Sequence, residues 1–311
     1  MKQKNRLPAP GAKKALKNWR LYIMFLPGFL CLLLFSYVPM YGLVLAFKEY
    51  SPRHGILGSE WVGLENFRYA LQSKSFWEMV GNTLRLGLLK IIFAFPSSII
   101  LALMINEVFC KRFKKVVQTI ANLPYFISWV IVSSIVYMFL AKDAGVLNKV
   151  LAFFGLDSVF WYAESKYWPV IFTISGIWKN VGWGTIVFLS AMTNINPDLY
   201  EAAKVDGAGR LRQCLHVTIP GIMPAITMTF ILCVAGIVKD DFEQIWALGG
   251  DSSILSETTE VLGTWVYKTL RGSFRGWGDA TAVGLLQSLA GMILMLVSNW
   301  LVKKQGQEGL W

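Results

Sequence analysis

Charge is scarce in this chain. Only 16% of its 311 residues are Asp, Glu, Lys or Arg, and only two, His54 and His216, are histidine. Two such histidines build neither a histidine-rich metal centre nor a two-histidine zinc motif. The four cysteines, Cys31, Cys110, Cys214 and Cys233, follow no metal-binding or redox spacing, so no thiolate metal site and no structural disulfide is expected. A G-x-x-x-x-G-K-[ST] phosphate loop is absent, and Gly207-Ala208-Gly209 lacks the third glycine of a dinucleotide fingerprint. The chain therefore has no usual means of hydrolysing a nucleotide, and no catalytic residue or metal ligand is assigned to it. Asp240, Asp241 and Glu243 form an acidic cluster at the end of an apolar run, but no histidine or metal spacing accompanies them, which makes a membrane-embedded transferase a weak reading.

What replaces charge is apolar surface: hydrophobic residues make up 55% of the chain, with 13 Trp and 20 Phe. A bilayer-spanning helix needs about 20 mostly apolar residues. Six runs qualify: Leu21 to Phe47, Val80 to Ile105, Ile120 to Leu140, Trp168 to Met192, Gly221 to Val238 and Ala280 to Val302. The expected fold is all-α and polytopic, with six transmembrane helices. Residues 1–20 form a basic leader, 21–302 the membrane domain with a polar loop at about 193–220, and 303–311 a tail. The leader looks like the basic region of a signal peptide, yet the run after it is too long and has no small-residue cleavage site, so an uncleaved anchor is expected. Pro27, Pro39, Pro96 and Pro124 lie in or beside these runs, where each removes a helix hydrogen bond and can kink the chain.

The positions of Lys and Arg orient the spans. With the N-terminus in the cytoplasm, the inner segments carry 16 and the outer loops 11. Short inner segments rich in Lys and Arg set the expected orientation, with both termini and the 193–220 loop on the cytoplasmic side of the cell membrane. The net charge of +11 sits beside the spans, where anionic lipids attract it, and argues for no nucleic-acid role. Under this topology no acidic residue falls inside a span, Glu107 and Asp240 lying just beyond two ends. An ion-driven transporter normally carries intramembrane carboxylates, so that reading is weak as well.

The polar loop is the most specific segment. Asn196 can cap a helix that opens on Pro197, with Asp198 and Glu201 supplying negative charge to its first turn. Asp206-Gly207 stops that helix near Val205, because glycine accepts a left-handed backbone without steric cost. A second short helix then runs from Ala208 to His216 and ends before Pro220, so two angled helices make a projecting knob. The sequence Glu201-Ala202-Ala203-x-x-Asp206-Gly207-Ala208, closed by Pro220, resembles the EAA loop of importer-type ABC transporter permeases. It departs from that pattern at Cys214, where the family usually has Phe, and at Ile219, where it has Leu.

The resemblance extends over most of the chain. Phe25-Leu26-Pro27-Gly28, Tyr37-Val38-Pro39-Met40-Tyr41-Gly42, Val62-Gly63-Leu64-Glu65-Asn66-Phe67, Leu123-Pro124-Tyr125-Phe126-Ile127-Ser128-Trp129 and Phe242-Glu243-Gln244-Ile245-Trp246 are similar to the carbohydrate permeases that import oligosaccharides such as alginate and rhamnogalacturonan. The resemblance implies a type I importer: a second related permease, two ATPase subunits that bind ATP and Mg, and an extracellular solute-binding lipoprotein. It implies that Glu201, Ala202, Ala203, Asp206, Gly207 and Ala208 seat in a groove of the ATPase. It implies an oligosaccharide substrate, acidic uronate-containing ones included; a permease for another solute class is the alternative.

Within the spans, Lys90 and the triplet Trp178-Lys179-Asn180 are unusual, since a charge at membrane depth costs roughly 2.5 to 3.5 kcal/mol. Lys179, Asn180 and Lys90 are the candidate groups for sugar hydroxyls or carboxylates, with Trp178 or Trp183 stacking on a ring. The alternative is that each lysine snorkels outward or pairs with the second permease. Gly182 and Gly184 read as close helix-packing positions.

Overall fold

A computed structural model of the chain describes residues 19–250, 252, 255–272, 276–307 and 309–310. The leader therefore lies outside the described residues, except for Trp19 and Arg20. The described chain is nearly all helix, as expected. A two-residue antiparallel ladder, Lys48–Glu49 against Glu60–Trp61, closes the first connection.

Helix α1 (Trp19–Phe47) stands at the edge with most of its apolar side chains exposed, Phe35 at 79% among them, and only its end, at Leu45 and Ala46, is buried. Helix α2 (Glu65–Gln72) leads into α3 (Lys74–Asn106), a single run of 33 residues that extends the expected second span at its N-terminal end. Prolines shape these helices in a regular way. The segments Leu33–Tyr37, Lys90–Ala94 and Cys214–Thr218 are π-helical, and each ends two residues before a proline: Pro39, Pro96 and Pro220. A proline has no N–H, and its ring presses on the carbonyl four residues back. One widened turn moves that carbonyl aside, so the helix continues through the proline.

The third expected span, Ile120 to Leu140, is not one helix. α4 (Lys111–Phe126) and α5 (Trp129–Leu140) meet at 101°. Pro124 lies in a tight final turn, Ile127 is extended, and the Ser128 hydroxyl accepts from the Ile131 amide to start α5 afresh. The short α6 (Val146–Phe153) follows. The fourth span forms with the expected bounds as α7 (Trp168–Met192), whose buried positions Trp168, Phe172, Ser175, Lys179, Gly182, Thr185, Leu189 and Met192 recur every three or four residues. It is the axis of the molecule and packs along α3.

The polar loop contains α8 (Pro197–Val205) and α9 (Arg210–Gly221). The fifth span then differs from its expected bounds, Gly221 to Val238. α9 and the next helix, α10 (Met223–Ala235), meet at 64°, and α10 gives way to a turn at Gly236. At 1.5 Å per residue its 13 residues extend about 20 Å, too short to cross a bilayer alone. Short helices α11 (Phe242–Gly249) and α12 (Leu262–Gly272) precede α13 (Gly276–Lys304), which carries the sixth span and takes in the first two residues of the expected tail.

Three apolar clusters hold the bundle. One joins Leu86, Trp168, Phe172, Ile245 and Leu255, a second joins Ile105, Phe188, Met192 and Ile222 at the other end of α7, and a third ties Phe76 and Met79 to Leu262 and Val283. The glycines expected to permit close packing do so: a methyl group at Gly182 would collide with the carbonyl of Ala121 on α4, and one at Gly184 with the Ser98 hydroxyl on α3. Gly182→Ala is accordingly expected to lower stability by about 1–3 kcal/mol through overpacking, read as a fall in thermal unfolding temperature in detergent.

Candidate functional site

The residues singled out within the spans separate onto different faces of α7. Lys179 is 6% exposed, and its ammonium donates to the carbonyls of Pro124 (3.3 Å), Tyr125 (2.8 Å) and Ile127. Pro124 O also accepts the Ile127 amide at 3.2 Å, and the ammonium adds a donor to it and to the Tyr125 and Ile127 carbonyls, which lie where α4 gives way to the bend. The same ammonium lies over the rings of Tyr125 and Trp129, at 5.6 and 5.4 Å from their centroids. Trp183 stacks on Tyr125 at 4.6 Å with the planes 6° apart. Of the roles expected from sequence, a sugar-binding ammonium, a snorkelling one or one paired with the second permease, the geometry shows none: the ammonium is engaged by three carbonyls of the bend. Trp178 turns away, lining an apolar recess with Val136, Phe139 and Ile174.

Asn180 and Lys90 do share a space. A cavity of about 240 Å³ opens between α3, α7, α10 and the start of α11, lined by Lys90, Ser98, Thr173, Asn180, Asp241 and Gln244 among others. Lys90 lies midway along α3 and pairs with Asp241, Nζ to Oδ2 2.7 Å, with the two side chains 34% and 48% exposed. A pairing within the chain is neither snorkelling nor a contact to a second permease. It also amends the expectation that carboxylates stay clear of the spans: because α10 stops early, Asp241 reaches the middle of α3. The neighbouring Asp240 is held elsewhere, accepting from the Gly263 amide at 2.7 Å. Gly87 makes this junction possible, since a methyl group there would stand 2.6 Å from the Ile237 carbonyl oxygen.

Gln244 was not singled out from sequence. It is 1% exposed, and its Nε2 donates to the Phe172 carbonyl (2.6 Å) and the Ser175 hydroxyl (3.1 Å), pinning α11 to α7. Its signals are its place in the Phe242-Glu243-Gln244-Ile245-Trp246 phrase and a polar side chain within the largely apolar helix Phe242–Gly249. Arg85, also within the expected second span and also passed over, stays exposed on α3.

The polar loop is built from local bonds. The Asn196 side chain accepts from the Asp198 amide (3.1 Å), and α8 closes with the Ala208 amide on the Ala203 carbonyl (2.8 Å) and the Gly207 amide on that of Lys204 (3.0 Å). This pair of bonds is a Schellman closure, and Gly207 carries the left-handed φ of +74° it requires. α9 starts at Arg210, two residues after the expected start, and passes through Pro220 because of its π turn. Tyr200 and Thr218 bond their hydroxyls at 2.9 Å, and Arg210 covers the Phe109 ring at 4.2 Å. Glu201, Ala202, Asp206 and Gly207 are exposed, with Ala203 and Ala208 half-buried, and Val205 and Leu211 stand 88% and 74% exposed beside them. The knob's two ends are the ends of α7 and α10, and Ile195 packs on Gly221 between them.

Residues 94–307 match the family of the binding-protein-dependent transport system inner membrane component. The chain belongs to this family. The permease is 41% identical, over 96% of its length and 92% of the relative's, to the polygalacturonan/rhamnogalacturonan transport system permease protein YteP of Bacillus subtilis (strain 168). It is 38% identical to Protein LplB of the same organism, over 93% of its own length and 90% of that protein's. Among solved structures it is similar to a chain of a bacterial alginate ABC transporter in complex with alginate pentasaccharide-bound periplasmic protein, with a TM-score of 0.86 and 37% identity over 96% of this permease and 99% of that chain. The fold is that of a type I ABC importer permease.

Replacing Lys179 by Met keeps the stem but removes the donor from the Tyr125 and Ile127 carbonyls of the bend, whereas Pro124 O keeps the Ile127 amide, and a buried acceptor left unpaired costs about 1–3 kcal/mol. Lys179→Met is expected to lower the unfolding temperature markedly, and Lys179→Arg to recover part of the loss, as read by thermal unfolding of the purified permease.

Proposed function

We propose that this permease forms half of the translocation path of an ABC importer for oligosaccharides, acidic uronate-containing chains included. The observation that carries this reading is continuity: the exposed knob joins α7 directly to α10, and those helices with α3 wall the Lys90–Asn180 cavity. A push on a rigid knob moves two walls of the cavity together, which is what coupling an outside motor to alternating access requires. The permease carries no nucleotide site of its own, so ATP and Mg are held by two partner ATPase subunits. A second, related permease supplies the other half of the path, and an extracellular solute-binding lipoprotein delivers the sugar. The names of the relatives support the sugar class: polygalacturonan and rhamnogalacturonan for one, alginate for another.

In the knob, Glu201 offers a carboxylate without a partner among the described residues, flanked by the apolar Val205 and Leu211. We assign Glu201, Ala202, Ala203, Asp206, Gly207 and Ala208 to contact with the ATPase. In the path, Asn180 offers an amide to sugar hydroxyls. The orientation that serves this mechanism has the knob and both termini in the cytoplasm, in agreement with the excess of Lys and Arg there.

Glu201→Ala is expected to abolish the stimulation of ATP hydrolysis by loaded binding protein in the reconstituted transporter, with assembly retained; unaltered stimulation would overturn the coupling role. Orientation is checked by thiol labelling. Cys110 is exposed on the connection after α3, whereas burial pushes the Cys214 thiol up. A membrane-impermeant maleimide is expected to label Cys110 rapidly in inverted vesicles and not in intact cells, with Cys214 reacting slowly.

A further inference from the structure

Resting on the transport reading above, we propose that Lys90 reads the carboxylate of an acidic sugar by exchanging its partner, Asp241, for the carboxylate of the passing substrate. The two intramembrane lysines of the path region differ in one respect. Lys179 has its ammonium committed to three backbone carbonyls, whereas Lys90 makes one close ion pair, with Asp241, and no side-chain hydrogen bond to a carbonyl among the described residues. Both members of the Lys90–Asp241 pair are partly exposed to the cavity, so the contact is wet and reversible rather than a sealed core pair. The ammonium therefore has donors to offer to a second carboxylate.

The surroundings favour exchange over permanent pairing. Asp240, the nearest alternative partner, is engaged by the Gly263 amide and boxed in by Gly263 itself, where a methyl group would collide with its carboxylate. Lys90 opens the widened turn Lys90–Ala94, a feature that often marks functional positions in helices. A bare charge in the middle of a span is costly. With Asp241 as its resting partner Lys90 is neutralised when the cavity is empty, and with a uronate carboxylate it is neutralised when the cavity is loaded. In the loaded state Asp241 turns to the cavity water. Asn180 lines the same cavity from α7, in place to take the sugar's hydroxyls.

The test is uptake by the complete transporter in proteoliposomes, with its partner permease, ATPases and binding protein, of trigalacturonate and of its methyl ester, which has the same shape without the charge. Lys90→Gln is expected to lower trigalacturonate uptake about tenfold or more, through a raised half-saturation concentration. Lys90→Arg keeps most of the uptake, Asp241→Asn preserves or raises it, and the methyl ester suffers much less from Lys90→Gln. If Lys90→Gln and Asp241→Asn depress both sugars alike, the pair is a structural latch and the proposal falls. Unchanged trigalacturonate uptake by Lys90→Gln overturns it too, as does a wild-type transporter that moves only the methyl ester. A wild-type transporter that moves no sugar at all would instead overturn the importer reading on which the proposal rests.

Discussion

Lys179 donates to three carbonyls that belong to a different span, and that contact allows α4 and α5 to meet at 101° within an apolar surrounding. Backbone groups freed by a bend have no water to turn to in hydrocarbon and must find a partner inside the protein. A lysine is suited to the task because one ammonium serves several acceptors, and the rings of Tyr125 and Trp129 share its charge. The close approach of Gly182 to Ala121 and the Tyr125–Trp183 stack then fix α7 to the same bend. The helix that leads into the knob is thus fastened to the sharpest corner of the bundle.

The same requirement, that a bent backbone in an apolar setting be satisfied locally, recurs at each proline. Three π turns precede Pro39, Pro96 and Pro220 and let their helices run on, while Pro124 and the extended Ile127 end theirs. The serines that follow differ in what they bond: the Ser128 hydroxyl accepts from the Ile131 amide and caps a new helix, whereas the Ser97 hydroxyl after Pro96 donates back to the Ala94 carbonyl at 2.7 Å within a helix that continues. The widened turn at Lys90 also lies against the cavity, so the distortion that accommodates Pro96 bears the cation that faces Asp241.

The cavity and the knob form one mechanical unit because α10 is short. Its early stop carries Asp241 inward to the middle of α3 and lets Gln244 reach the Phe172 carbonyl, so that α3, α7, α10 and α11 close around a shared polar space. Partly exposed ion pairs contribute little to stability, which makes the Lys90–Asp241 pair better suited to opening than to holding the bundle together. The firm contacts lie elsewhere, in the three apolar clusters and the Lys179 clasp.

Features governed by neighbours along the chain were legible in the sequence. The Asn196 cap, the stop at Gly207 and the bounds of α7 depend on residues within a turn or two, so composition and spacing determined them. The all-α class and the membrane-length runs followed from hydropathy for the same reason. The knob's family pattern was likewise local, although the true start of α9 and its passage through Pro220 depended on a π turn that no residue type announces. Hydropathy could not separate a straight span from a bent pair, because Ile120 to Leu140 is apolar on both sides of its break, and within Gly221 to Val238 the apolar run passes the end of α10 at Gly236 without interruption. Nor could it say which intramembrane lysine is free. The partners of Lys179 lie 52 to 55 residues away, and the partner of Lys90, Asp241, lies just before α11 in a distant part of the chain. Charge at depth is visible in a sequence, but what neutralises it is fixed only when helices distant along the chain are brought into contact.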